Sequence, residues 1–220
     1  MKHLVIKDFR VLKLMNLAVI AICLAGGYMG ISYENTLKTK FVYAFAILIT
    51  TYLASILLSQ QEVKNNSDII INSLPIDRSL IVKSKYLFIL IYMCLSSLIV
   101  FLSSHVSGVI FPNNTPGVGA DVFDILFIIG LALIFYSVYL LIYYFNIGKA
   151  QIFGQVFYLI LVLAPAFLGR FGERIVSSSS FKYLMSLNFN FIISLLIAVG
   201  LIFYVISLNS SIKIYESKEF

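Results

Sequence analysis

Tyr86-LFILIYMCLSSLIVFLSSHVSGVI-Phe111 contains no Asp, Glu, Lys or Arg. An α-helix rises 1.5 Å per residue, so ~20 apolar residues cover the ~30 Å hydrocarbon core of a bilayer, and this run exceeds that length. It opens directly after Lys83 and Lys85 and stops at Pro112-Asn113-Asn114-Thr115-Pro116-Gly117, whose prolines and glycine end a helix. In lipid a backbone must satisfy its own hydrogen bonds, which a helix does within one segment. The stretch therefore predicts a transmembrane helix.

Five further stretches of this kind lie at about 14–32, 41–59, 122–145, 151–169 and 188–208, with the one above at 86–111. The chain of 220 residues is 60% hydrophobic and 12% charged, with mean hydropathy +0.98. A soluble domain carries about 25% charged residues, so too few exist here to cover a surface facing water. The expected fold is an all-α integral membrane protein: six transmembrane helices in one domain over 14–220, an interfacial helix over 1–13, and a cytoplasmic loop at 60–85. The apolar run from Leu14 continues past Ala25-Gly26-Gly27 to about Ile31, longer than a signal peptide needs, and reads as an uncleaved first span. Cys23 and Cys94 lie inside apolar runs, where a thiol packs as a small hydrophobe, so they indicate neither a disulfide framework nor a metal site.

Lys and Arg in short loops resist translocation. Lys2, Lys7, Arg10, Lys13, Lys64, Arg78, Lys83, Lys85, Lys149, Lys213 and Lys218 fall on one side of the expected spans; Lys38, Lys40, Arg170, Arg174 and Lys182 fall on the other. Both termini are therefore expected in the cytoplasm. The same bias explains the net charge of +6 without a nucleic-acid partner. As a helix, the first thirteen residues place Lys2, His3, Lys7, Arg10 and Lys13 on one arc and Leu4, Val5, Phe9, Val11 and Leu12 largely opposite, with Ile6 and Asp8 breaking the pattern. Such a segment lies in the headgroup plane with its cations toward anionic lipid.

A charge near the bilayer centre costs at least ~2.5–3.5 kcal/mol, so an ionisable residue inside a span marks function. Only His105, late in the third span, and Asp124, opening the fourth, come close, and both read as groups near the membrane boundary. No His-Glu-x-x-His, no Gly-x-Ser-x-Gly and no Gly-x4-Gly-Lys-Ser/Thr pattern is present, which argues against a metalloprotease, a serine hydrolase and a nucleotide-binding loop.

The 60–85 loop is long for a connection. Ser67 or Asp68 can cap a short helix, and Pro75 ends it, because the residue before a proline is pushed out of helical geometry. The product is a small apolar helix of Ile69, Ile70, Ile71, Asn72, Ser73 and Leu74 that needs a cover. Asp77 is then placed to cap a helix starting near Ser79 that runs into the third span.

Leu74-Pro75-Ile76-Asp77-Arg78-Ser79-Leu80-Ile81-Val82-Lys83-Ser84-Lys85-Tyr86 resembles the signature after the coupling helix of ABC-2-type permeases: Leu-Pro-Val/Ile-Ser/Thr-Arg, an aliphatic pair, then Lys-Tyr opening the third span. Asp77 departs from the usual Ser/Thr, though each can cap a helix. Ile6-Lys7-Asp8-Phe9-Arg10-Val11-Leu12-Lys13 is similar to the family's interfacial elbow helix, with Lys7, Phe9, Arg10 and Lys13 as its interfacial residues. The resemblance implies the ABC-2 (type V) exporter fold and a non-catalytic permease that works with a second permease, as homodimer or heterodimer, within membrane lipid. It also implies cytoplasmic ABC ATPase subunits that bind the ATP and Mg, with no cofactor in this chain. Asp68 through Pro75, with Asp77 and Arg78, would receive the ATPase motion. The chain's size looks most like permeases of bacterial peptide exporters such as the phenol-soluble modulin exporter. A rival reading is a stand-alone membrane immunity protein that sequesters a toxic peptide.

Thr51, Ser55 and Ser59 on the second span and Ser96, Ser103 and Ser107 on the third recur at helical spacing, which permits close helix contact, with a lining of the substrate path as the alternative. Tyr136, Tyr139 and Tyr143 share one face of the fourth span and are candidates for a substrate path, or for anchors at the membrane boundary. Pro165 is placed to bend the fifth span, and Arg170–Leu187 is expected as a short external element.

Overall fold

A computed structural model describes residues 2–65, 77–177 and 189–218. Among them are seven α-helices: α1 Lys2–Val11, α2 Lys13–Ile31, α3 Thr36–Lys64, α4 Arg78–Ile110, α5 Val122–Phe145, α6 Ile147–Ser177 and α7 Phe189–Glu216, with a 3-10 turn at Pro112–Asn114. Six of these, α2 to α7, are long and apolar enough to cross a membrane, so the chain is a multi-pass membrane protein. The helices outrun the apolar stretches at the end that carries the termini. There α3 runs on to Lys64, and α4 starts at Arg78, ahead of the apolar run at Tyr86.

The central pillar is α4, which packs against α1, α2, α3, α5 and α7. Its small residues allow the approach that their spacing predicted: a Cβ added at Gly27 of α2 would lie 1.7 Å from Ser103 Oγ, so only glycine fits that crossing. Thr51, Ser55 and Ser59 donate to carbonyls one turn back on α3, and Thr51 Oγ1 also lies 3.5 Å from Ser96 Oγ on α4. Outward, Leu14, Leu17, Ile20 and Leu24 of α2 and Ile152, Val156, Leu159 and Leu163 of α6 are exposed, as lipid-facing side chains are.

At the far end the expected turn after α4 is present. Gly117 N–H donates to Ile31 O at 2.8 Å, and a Cβ there would meet Tyr33 O at 2.5 Å. His105 Nε2 lies 3.2 Å from Ala120 O, which accounts for it as a satisfied polar residue. Cys23 and Cys94 are free thiols, Cys23 buried and Cys94 exposed. Two expectations need correction. The helix α6 continues through Pro165 to Ser177, so Arg170, Glu173 and Arg174 stand on a helix where a loop was expected; 178–188 lie outside the described residues. Asp77 does occupy the N-cap position of α4, but the helix starts at Arg78 and the Asp77 side chain makes no cap hydrogen bond.

Candidate functional site

The apolar helix expected over Ile69–Leu74, together with Asp68 and Pro75, lies outside the described residues. The structure does describe the helix ends on either side, at Lys64 and Arg78, and what joins them. Glu62 stands in the last turn of α3 and Lys85 in the second turn of α4. Lys85 Nζ donates to Glu62 Oε2 and, at 2.8 Å, to Tyr143 Oη of α5. Tyr143 Oη donates to the same Glu62 Oε2 at 2.7 Å, and Lys85 Nζ lies 4.1 Å from the Tyr143 ring centre. Glu62 and Lys85 are each only 8% exposed. Lys85, expected as one of the cations flanking the third span, is instead a buried member of a three-helix ion triad. Its chemistry follows from that burial: a charge away from water needs a counter-charge and hydrogen bonds, and Lys85 has both.

The next residue ties α4 to α7. Tyr86 Oη lies 2.7 Å from Ser207 Oγ and 2.8 Å from Ser211 Oγ, and Tyr204 Oη donates to Tyr86 O at 2.7 Å. Ser207 uses its one proton on Ser137 O, so it accepts from Tyr86, and Ser211 donates to it. Arg78 donates from Nη1 to Glu216 O and Lys218 O at 3.0 and 2.9 Å, holding the end of α7 against the start of α4. The Lys-Tyr pair read from sequence thus contributes one residue to an ion triad and the other to a hydroxyl cluster.

The interfacial helix also enters this site. Phe9, Lys7, Arg10 and Lys13 were expected in the headgroup plane; Arg10 and Lys13 are exposed and Lys7 half-buried, whereas the Phe9 ring packs on Phe88 and Tyr92 of α4, at 4.9 and 5.8 Å between centres. Asp8, which breaks the amphipathic pattern, points into the bundle and is 3% exposed. Lys7 Nζ lies 3.1 Å from its Oδ1 without hydrogen-bond geometry, and burial pushes the Asp8 carboxyl above the usual carboxylate range. A cavity of about 40 Å³ beneath α1 is lined by Asp8, Glu62, Lys85, Tyr143 and Tyr144 among others.

A second charged pair stands at the opposite end. Lys40 Nζ of α3 donates to Asp124 Oδ1 of α5 at 2.8 Å, with the Lys40 side chain 51% exposed. The helices α3 and α5 therefore run parallel and in register, joined by an ion pair at one end and by the Tyr143–Glu62 hydrogen bond at the other. From Lys40 to Glu62 the helix rises ~33 Å, close to the ~30 Å hydrocarbon core. Between the pairs, Ser55 lies beside Tyr136 and Ser59 beside Tyr139. The hydroxyls of Tyr136, Tyr139 and Tyr144 are buried without a hydrogen-bond partner of acceptable geometry. All three tyrosines of the expected face, Tyr136, Tyr139 and Tyr143, are thus interior side chains.

A family model described as ABC-2 family transporter protein matches residues 3–216. The chain belongs to the ABC-2 transporter family. No curated protein and no solved structure matches it. In this ABC-2 protein, sequence reasoning passed over Glu62 and Tyr144 and treated Lys85 as a flanking charge. A signal existed for Asp8 and Lys85: the misfit acid on the amphipathic helix, and the lysine next to the tyrosine that opens the apolar run. For Glu62 none existed, because its partner stands 23 residues further on.

Proposed function

We propose that this ABC-2 protein is the membrane-spanning permease subunit of an ATP-binding cassette exporter in a bacterial cytoplasmic membrane, with both termini in the cytoplasm. ATP and Mg are bound by separate ATPase subunits, and a second permease, identical or similar, completes the pathway. The substrate class that suits the small, strongly apolar chain is an amphipathic peptide of the modulin kind, and Tyr136, Tyr139 and Tyr143 are its candidate contacts if α3 and α5 part.

Family membership across 3–216 supports the transport role, and one observation carries the mechanism. The helices that precede and follow residues 66–76 are clamped by the Glu62–Lys85–Tyr143 triad. A push on that segment therefore reaches α3, α4 and α5 together. The sequence has no phosphate-gripping loop of its own, so the push comes from another chain. Replacing Ile70 and Ile71 together by Asp should leave membrane insertion intact and uncouple ATP hydrolysis from transport in reconstituted complex. Wild-type transport by that double variant would remove the loop from the mechanism. Purification of the chain alone, never with an ATPase, and transport by it without nucleotide would instead favour a stand-alone protein.

A further inference from the structure

The triad leaves an imbalance beside it. Lys85 faces two buried carboxyl groups, Glu62 from α3 and Asp8 from α1, and bonds only the first. Asp8 Oδ1 has no hydrogen bond, and neither has the Tyr144 hydroxyl; both line the same cavity as Lys85. Its volume of about 40 Å³ exceeds the space one water needs, so the ammonium has room to swing on its four-carbon stem. Lys7, the present neighbour of Asp8, has a side chain 38% exposed and can turn out to water or lipid headgroups. Glu62 lies within three residues of the end of α3 at Lys64, so outward movement of that end hydrates it.

We propose that Lys85 is a two-position switch: Glu62 and Tyr143 hold it in the closed state, with α3 against α4, and Asp8, with Tyr144, receives it when α3 moves away from α4. Asp8 is then a positioning residue of the transport cycle, and the interfacial helix is the element that senses which position Lys85 occupies. Burial already disfavours the ionised Asp8 carboxylate, and its present counter-ion Lys7 is part-exposed and makes no hydrogen bond to it, so an arriving ammonium adds the buried, hydrogen-bonding partner that is missing. A lysine between two acceptors is bistable, because a halfway position leaves both bonds broken in a poorly hydrated site. The exchange needs no ATPase; only the event that drives it rests on the permease reading above.

Two experiments test the exchange separately from that reading. In the isolated chain in liposomes, with native cysteines replaced by serine, spin labels at Val63→Cys on α3 and Leu87→Cys on α4 report the helix separation; both positions are exposed. Glu62→Gln should add a longer-distance population, and Asp8→Asn combined with Glu62→Gln should abolish it. Identical distance distributions in the two variants would overturn the switch. Should Glu62→Gln fail to insert, Tyr143→Phe, which loosens the same hold, carries the comparison. In the complex with its ATPase, Asp8→Asn should lower the molecules transported per ATP about tenfold, within the usual range of coupling between sites, and Asp8→Glu should restore most of it. Wild-type coupling in Asp8→Asn also overturns the proposal. Absence of any ATPase-driven transport by the wild-type chain defeats the permease reading and leaves the distance experiment standing.

Discussion

The two ends of α3 each carry a lysine–carboxylate pair, in different surroundings. Lys40–Asp124 sits where half of the lysine side chain meets solvent, and Lys85–Glu62 sits where each residue is 8% exposed. Water reaches Lys40 of the first pair, although Asp124 is only 9% exposed, so the lysine keeps a solvated alternative and the bond opens at lower cost. The second pair has no such alternative: each ion depends on the other and on Tyr143. One end can part easily and the other moves as a unit, an asymmetry that suits the proposed drive from the end bearing residues 66–76.

Three substitutions put the contrast between the two pairs at risk. Lys85→Met leaves Glu62 buried and unpaired, and should destabilise the protein by ~3–5 kcal/mol, read as a large fall in thermal midpoint in detergent; a midpoint near wild type would mean that Glu62 is hydrated and the two ends are alike. Tyr143→Phe removes one donor to Glu62 and one acceptor for Lys85 while keeping the ring, and should cost ~1–3 kcal/mol in the same assay. A neutral result there would make the tyrosine a packing group only. Asp124→Asn keeps the shape of the buried side chain and leaves only the half-exposed Lys40 without its partner, so it should cost about 1 kcal/mol, with the difference shrinking in high salt because solvent ions reach the lysine. A loss as large as that of Lys85→Met, or one that persists in high salt, would erase the contrast.

Much of the fold was legible because hydropathy and the α-helical rise are local properties. Each run between Leu14 and Leu208 declares a span without reference to the others, and Pro112 to Gly117 marked the turn that the backbone makes. The helix ends were less legible. Past Ser59 and ahead of Tyr86 the sequence turns polar, which reads as loop, yet Glu62 and Lys85 are helical and interior. Polar residues extend these helices because they pair with one another, and pairing is invisible to a window that scores each residue alone. Asp8 shows the same limit from the other side: it registered as an error in an amphipathic pattern, and it is the residue that α1 turns into the bundle.

By itself, the order of residues determined that the chain crosses a membrane six times, that its cations are biased to one side, and that no nucleotide-gripping loop lies within it. Those conclusions need only composition, period and short motifs, which neighbouring residues settle among themselves. Which charges are buried, and with what, was decided by tertiary structure alone. Glu62, Lys85 and Tyr143 stand 23 and 58 residues apart along the chain, and only the packing of α3, α4 and α5 removes the water that would otherwise make their attraction small.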